Sequence, residues 1–269
     1  MKNTPQTIEL TRDGHWMTLR LNRPERRNAM TRQMTSELTE ALLALCEDRT
    51  LRGITLRGTG GWFCAGGDLA EFKADFQSSP PDRADIEAAS RAAGTLFHLL
   101  DRMPQVTVAL VEGGAMAGGL GLMCACDISV ATQDAAFALT ETTLGIPPAQ
   151  IAPFVRARVG VAKARQLMLT APRFTGLDAG KLGLVSTVVA DAKALDAEEA
   201  KLRDALRRCA PGAVAVTKDI LLGQAEDDSI ATAARAFAGC ILSDEGREGI
   251  ASFFEKRPPS WAQIPEDQA

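Results

Sequence analysis

Short apolar stretches alternate with amphipathic ones along the first two thirds of the chain. Thr7 to Arg12 and His15 to Leu21 are apolar/polar runs separated by Asp13-Gly14, a dipeptide that favours a tight turn, so the chain is expected to open with a β-hairpin. From Met34, the apolar residues Leu38, Ala41, Leu42 and Leu45 recur at steps of three and four, which marks one face of a helix ending near Asp48. Ile54 to Leu56 then reads as a short strand. A helical segment from about Asp85 to Met103, stopped by Pro104, precedes the strand candidate Val106 to Val111. Ile128 to Ala131 and Ala136 to Ala138 read as two more short strands.

Strands of this length alternating with helices imply a parallel α/β architecture, because parallel neighbours need crossover connections. They are too short to predict a wide flat sheet. The Ser- and Pro-bearing segment from Ala74 to Ala84 reads as a loop. After about Leu195 the strands stop, and Leu195 to Cys209, Ala213 to Leu222, Ser229 to Leu242 and Glu245 to Lys256 read as helices punctuated by Pro211, Gly223 and Gly246. The expected division is therefore an α/β body over 1–195 and a helical region over 196–269.

Composition narrows the function. Thirty Lys plus Arg against 34 Asp plus Glu leave a net charge of -4, so no basic field exists to hold a polyanion, and nucleic acid is not expected as a partner. No apolar run approaches the roughly 20 residues that span a bilayer, so no membrane partner is expected. Met1-Lys2-Asn3-Thr4-Pro5 leads into polar residues without an apolar signal core, which points to a cytoplasmic protein. The six cysteines, Cys46, Cys64, Cys124, Cys126, Cys209 and Cys240, lack zinc-knuckle or redox spacing and read as free buried thiols. With His15 and His98 as the only histidines, neither a histidine metal site nor a Ser-His-Asp triad has material, and no metal is expected. Acid or base chemistry falls to carboxylates.

Two glycine-bearing stretches stand out: Trp62-Phe63-Cys64-Ala65-Gly66-Gly67-Asp68-Leu69, and Gly113-Gly114-Ala115-Met116-Ala117-Gly118-Gly119-Leu120-Gly121-Leu122. Each follows a strand and enters a helix, where free backbone N–H groups converge and a ligand can approach closely. A pair of such turns can aim two N–H donors at one oxygen. The same glycines equally suit tight turns made for packing. Neither GxGxxG nor GxxxxGK[ST] occurs at these turns, which removes the dinucleotide and phosphate-loop readings.

Five segments in order complete the picture: Leu21-Asn22-Arg23-Pro24 with Arg27-Asn28-Ala29-Met30; Phe63 to Leu69; Gly118-Gly119 leading to Cys126-Asp127; Gly183-Leu184-Val185; and Glu255-Lys256-Arg257. Over almost its whole length the chain resembles the enoyl-CoA hydratase/isomerase, or crotonase, superfamily. The resemblance implies a spiral of ββα units with a C-terminal helical trimerisation region. It also implies an acyl-CoA thioester substrate, no cofactor beyond that CoA, and a homotrimer or dimer of trimers. The thioester oxygen would sit between the backbone N–H groups of Gly67 and Gly118. Arg27, Ala29, Ala65, Asp68, Leu69, Gly121 and Lys256 are implied as substrate-binding. Arg23, Arg26 and Arg27 would lie beside the CoA phosphates, with Lys256 and Arg257 in a similar role across a subunit contact.

The carboxylates bear on the reaction type. The usual pattern of the family has two glutamates; the first would lie three residues after Gly118, where this chain has Gly121, and the second matches Glu141. The missing glutamate removes a charge and is expected to open space beside the reacting carbons. The run Thr140 to Phe154 is similar to hydratases acting on branched glutaconyl-CoA esters, of the isohexenylglutaconyl- and methylglutaconyl-CoA types. A substrate bringing its own carboxylate would be repelled by a glutamate at position 121. The implied activity is hydration of an enoyl-CoA, with Glu141 positioning water and exchanging a proton with the α-carbon. A double-bond isomerase needs only one base and is the first rival. A catalytically silent CoA-ester binding protein is the second, with Glu141 and both small oxyanion positions against it. Trp62, Phe253 and Phe254 read as core or subunit contacts, and Cys64, Cys124 and Cys126 as core.

Overall fold

The structure is a computed structural model that describes residues 5–71, 73, 82–223 and 229–263. It begins with the hairpin β1 (Ile8–Asp13) and β2 (Trp16–Leu21), in which Asp13 pairs with Trp16. The two-residue loop is thus Gly14-His15, one position later than the Asp-Gly turn of the sequence reading, with Gly14 taking the left-handed φ of +54°. Helix α1 (Arg32–Cys46) is capped by Thr31, whose hydroxyl accepts from the Met34 N–H at 3.1 Å. Met34, Leu38, Leu42 and Leu45 form its buried stripe, each contributing about 1.5–3 kcal/mol of burial. Strand β3 (Gly53–Gly58) follows, then α2 (Arg83–Asp101) and β4 (Val106–Val111). Of the segment read as a loop, residues 74–81 lie outside the described residues; Arg83 and Ala84 already belong to α2, which Asp82 caps.

The chain then runs through β5 (Gly114–Met116), α3 (Gly118–Ala125), β6 (Ile128–Thr132), β7 (Ala136–Ala138), α4 (Ala152–Thr170), β8 (Phe174–Thr175), α5 (Gly176–Lys181), β9 (Thr187–Val189) and α6 (Ala192–Arg207). One sheet has six strands in the order β1-β2-β3-β4-β6-β9, parallel except for the hairpin, and is wider than its short strands led one to expect. Every residue of β4 is buried, as suits a central parallel strand covered on both faces. A second sheet holds β5, β7 and β8. From β4 to β9 the chain crosses back and forth between the sheets, with β7 and β8 falling consecutively in the smaller one, and bridges Met30↔Gly67 and Cys64↔Ala115 extend the smaller layer backwards along the chain. Successive turns therefore stack as an α/β spiral, the architecture that the resemblance implied.

The expected boundary at 195/196 falls inside α6. Leu195 is fully buried against the far face of the large sheet, Glu199 accepts from the Thr55 hydroxyl at 2.5 Å, and the Arg203 guanidinium lies 4.9 Å from the Trp16 ring centroid. This helix belongs to the body because its apolar stripe has the sheet as its partner. The separate helical region begins with α7 (Pro211–Leu222) and continues through α8 (Ser229–Leu242) and α9 (Asp244–Phe254). Lys218 pins α7 to the body through Asp127 at 2.6 Å and the Gln105 carbonyl at 3.0 Å. Leu221, Ile230, Phe237, Leu242, Phe253 and Phe254 on these helices are 69–82% exposed, so Phe253 and Phe254 are not core residues of the single chain. All six cysteines are free, but only Cys64, Cys124 and Cys126 are buried. Among the described residues, no helix is long and apolar enough to cross a membrane.

Candidate active site

The two glycine turns lie against each other. Cys64 donates to the Gly114 carbonyl at 3.2 Å and accepts from the Met116 N–H at 3.0 Å. Gly66 has a φ of +91°, and a Cβ there would lie 2.9 Å from the Met116 carbonyl oxygen and 3.0 Å from the Ala117 Cβ. Both the conformation and the approach demand glycine.

Gly67 sits in the bridge to Met30. Met30 donates to the Gly66 carbonyl at 2.7 Å and accepts from the Asp68 N–H at 2.9 Å. In parallel pairing of this kind the middle residue turns its own N–H to the opposite side. Gly118 is close by: a Cβ built on it would lie 3.9 Å from the Gly67 nitrogen. Gly118 is the first residue of α3, so its N–H has no intrahelical acceptor and carries the positive end of the helix dipole. Ala117, just before it, takes a φ of +47°, a strained conformation for a residue with a Cβ. The Ala117 N–H bonds the Ala138 carbonyl at 2.9 Å, which holds this turn beside the end of β7.

Glu141 begins a single 3-10 turn (Glu141–Leu144) three residues after Ala138, so it leaves β7 next to the strand that leads to Gly118. Its Oε2 is buried without a hydrogen-bond partner among the described residues. Burial raises its pKa above the ordinary glutamate value, as desolvation penalises the ionised form. A carboxyl in this condition is suited to taking and returning a proton. Burial also pushes the Cys64 thiol up to about 12, which leaves it protonated and unsuited to nucleophilic attack.

Around the two amides the walls are apolar. A Cβ on Gly118 would meet Met30 Cε at 2.7 Å and Phe97 Cζ at 3.9 Å. A Cβ on Gly121 would meet Ile151 Cγ2 at 2.2 Å and Phe97 Cε1 at 3.5 Å. The space expected beside Gly121 is therefore filled by Ile151.

Arg27, Ala29 and Ala65 come together. Ala65 donates to the Arg27 carbonyl at 3.0 Å, and the exposed Arg27 guanidinium stacks 4.8 Å from the Trp62 ring centroid. Asn28, fully buried with a φ of +56°, fixes this turn by donating to the carbonyls of Trp62 at 2.6 Å and Thr59 at 2.9 Å. Leu69 is exposed at the start of the next helical turn.

The placements of Asp68 and Arg23 differ from what the sequence led one to expect. Asp68 is buried and bonded to Arg23 Nη1 at 2.9 Å, so it faces protein rather than substrate. Burial opposes its ionisation, but Arg23 and the Ala70 N–H outweigh this and hold its pKa below the ordinary range. Lys256, expected to act across a subunit contact, lies just beyond α9, a helix whose main contacts within the chain are with α8 and α7. Arg257 is committed to Glu248 at 2.6 and 2.9 Å. Asn28 and Ile151 have roles that no sequence motif marks; the local signal at Asn28 is only that asparagine tolerates left-handed backbone at a turn.

Two neighbouring backbone amides, one of them at a helix N-terminus, together with a desolvated carboxyl are groups that can stabilise an oxyanion and exchange a proton. The profile of the Enoyl-CoA hydratase/isomerase family matches residues 13–264; the chain belongs to that family and is an enzyme of the enoyl-CoA hydratase type. Among solved structures it is similar to Pseudomonas aeruginosa AtuE, with 43% identity, a TM-score of 0.92, and coverage of 96% of this chain and 100% of that one. An enoyl-CoA hydratase/isomerase from Marinobacter aquaeolei is 37% identical with a TM-score of 0.90, covering 96% and 99% of the two chains. The human mitochondrial enoyl-CoA hydratase domain-containing protein 2 is 34% identical over 249 residues, 90% of this chain and 83% of that protein.

Proposed function

We propose that this enzyme adds water across the α,β double bond of a branched glutaconyl-type enoyl-CoA, of the isohexenylglutaconyl or methylglutaconyl kind. The thioester oxygen accepts from the Gly67 and Gly118 N–H groups. Glu141 takes a proton from the water that attacks the β-carbon, and electrons move onto the thioester oxygen as an enolate. Glu141 then returns that proton to the α-carbon, so water is consumed and the carboxylate restored. The helix end at Gly118 favours the enolate's charge. The observation that carries this reading is the buried, unpartnered Oε2 of Glu141, next to the turn that presents Gly118.

The branched, acidic acyl group rests on the similarity of Thr140 to Phe154 and on the missing carboxylate at Gly121. With Ile151 occupying that place, the site differs in charge rather than in volume from one that carries a second glutamate. Arg27, Ala29, Ala65 and Leu69 form the side on which the CoA moiety would lie. No cofactor beyond the substrate's own CoA enters the reaction. The exposed apolar residues of α7, α8 and α9 are the contacts of a homotrimer or dimer of trimers, which would bring a neighbour's Lys256 towards the CoA. Free thiols suit a reducing cytoplasm.

Ile151 also favours a second reading. An apolar side chain in place of a second carboxylate leaves one base and a drier site, which suffices for double-bond isomerisation. Turnover of an enoyl-CoA in heavy-oxygen water separates the two: a labelled hydroxyacyl product supports hydration, and an unlabelled product of unchanged mass supports isomerisation. Tight thioester binding without any product would leave only a binding role.

A further inference from the structure

The ion pair between Arg23 and Asp68 takes no part in the chemistry above, yet it is built into the turn that carries Gly67. Both groups are largely withdrawn from solvent, at 19% and 10% side-chain exposure. The Arg23 Nη1 lies 2.9 Å from Asp68 Oδ2 and donates to the Ala29 carbonyl at 2.5 Å. One nitrogen thus ties the segment before Met30 to the segment after Gly67. Between these two ties lies the bridge in which Met30 bonds Gly66 and Asp68 and leaves the Gly67 N–H pointing away. The aim of that N–H depends on how firmly the two segments are held together.

A buried ion pair is a poor device for stability, since desolvation offsets much of the attraction. It is a good device for fixing one geometry, because a displaced partner leaves a charge unpaired. We propose that Arg23 and Asp68 are positioning residues for oxyanion stabilisation: their ion pair clamps the Met30 and Gly67 segments so that the Gly67 N–H stays in line with the thioester oxygen. This rests on the reading of Gly67 as an oxyanion donor. The residues touch no reacting atom, and they act through the direction of one amide. Asp68 also accepts from the Ala70 N–H at 3.0 Å, so its carboxylate is held from both sides.

The test uses the full-length enzyme with butanoyl-CoA carrying a carbon-13 label in its thioester carbonyl, because the carbonyl stretch falls as hydrogen bonds to it strengthen. In the parent enzyme the infrared band should lie below its position in solution. In Asp68→Asn it should move part of the way back, with kcat falling about 10- to 100-fold and KM changing less than about 3-fold, the scale set by small misplacements of an otherwise intact group. Arg23→Gln/Asp68→Asn leaves no lone buried charge and carries the test if the single variant does not fold; the same band shift is expected. Arg23→Lys keeps the charge and should recover most of both readouts. Folded variants with the parent's band and kcat, or a loss confined to KM, overturn the proposal. A parent band that shows no lowering overturns the oxyanion reading of Gly67 itself, and this inference with it.

Discussion

Gly121 and Ile151 are complementary: a Cβ on Gly121 would stand 2.2 Å from the Cγ2 of Ile151, so one residue lacks a side chain where the other supplies one. Ile151 is 3% exposed and packs into the core. Where the resemblance implied a first glutamate, this chain presents an apolar wall, not a hollow.

This pairing predicts strong coupling. Gly121→Ala should destabilise the fold on balance, since overpacking of about 1–3 kcal/mol exceeds the gain of about 1 kcal/mol from helix propensity. Gly121→Ala/Ile151→Ala should be more stable than the sum of the single effects by about 1 kcal/mol or more, as read by denaturant melts. In the Ile151→Ala background, Gly121→Glu should suppress a glutaconyl-type ester far more than crotonyl-CoA. Like charges at 4 Å repel by about 4 kcal/mol at an effective dielectric of 20. An unchanged ratio of kcat/KM values for the two substrates would remove the argument for an acidic acyl group.

Glu141→Gln should lower turnover about 100- to 10,000-fold while sparing CoA-ester binding, because the proton acceptor is lost and the shape kept. Steady-state assay and calorimetric titration measure the two. Burial raises the Glu141 pKa above its ordinary 4.5, so the acid limb of kcat/KM should lie above the range of a solvated glutamate. The same shift governs stability. Ionisation costs more in the folded than in the unfolded state, so the stabilising effect is present below about 4.5 and lost as pH rises through the folded value. Glu141→Gln should therefore melt higher than the parent at pH 8, with the difference closing in acid.

Gly118→Pro should cost about 100- to 1,000-fold in kcat, the usual loss for one oxyanion donor. Position 118 opens α3, where proline is well tolerated, so the fold should survive the loss of the N–H. Gly118→Ala keeps the donor and asks only that the flexible Met30 Cε move; its kcat should stay close to the parent's. Equal activity in both variants would remove Gly118 from the oxyanion hole.

Phe237→Asp should dissociate the assembly, since Phe237 is 69% exposed on the apolar helical face and a charge there resists burial. Sedimentation or light scattering should give a trimer or hexamer for the parent and a smaller species for the variant. A monomeric parent would refute the proposed assembly.

Much of the fold was legible because its signals are local. The stripe Leu38, Leu42 and Leu45, the apolar run Val106 to Val111, and the helices after Pro211 each declare themselves within a dozen residues. The glycines at positions 66 to 67 and 118 to 119 announced close backbone approach by residue type alone, although the groups they make room for, Met116 O beside Gly66 and Cys64 O beside Gly119, belong to distant segments. The place of α6 is not legible in the sequence, because a helical pattern shows an apolar face without naming its partner, and that partner is the sheet around Trp16 and Thr55.

Local pattern carries the alternation of elements, the two small-residue turns and the Glu141 carboxyl that follows β7. Tertiary structure alone decided who meets whom. Ile151 fills the place beside Gly121 thirty positions earlier, and Arg23 is spent on Asp68 rather than left free for an anion. Only packing strips the Glu141 Oε2 of partners and raises its pKa. The difference is one of range: backbone conformation and apolar periodicity act between near neighbours, whereas desolvation, ion pairing and steric complementarity depend on groups that come together only when the chain has folded.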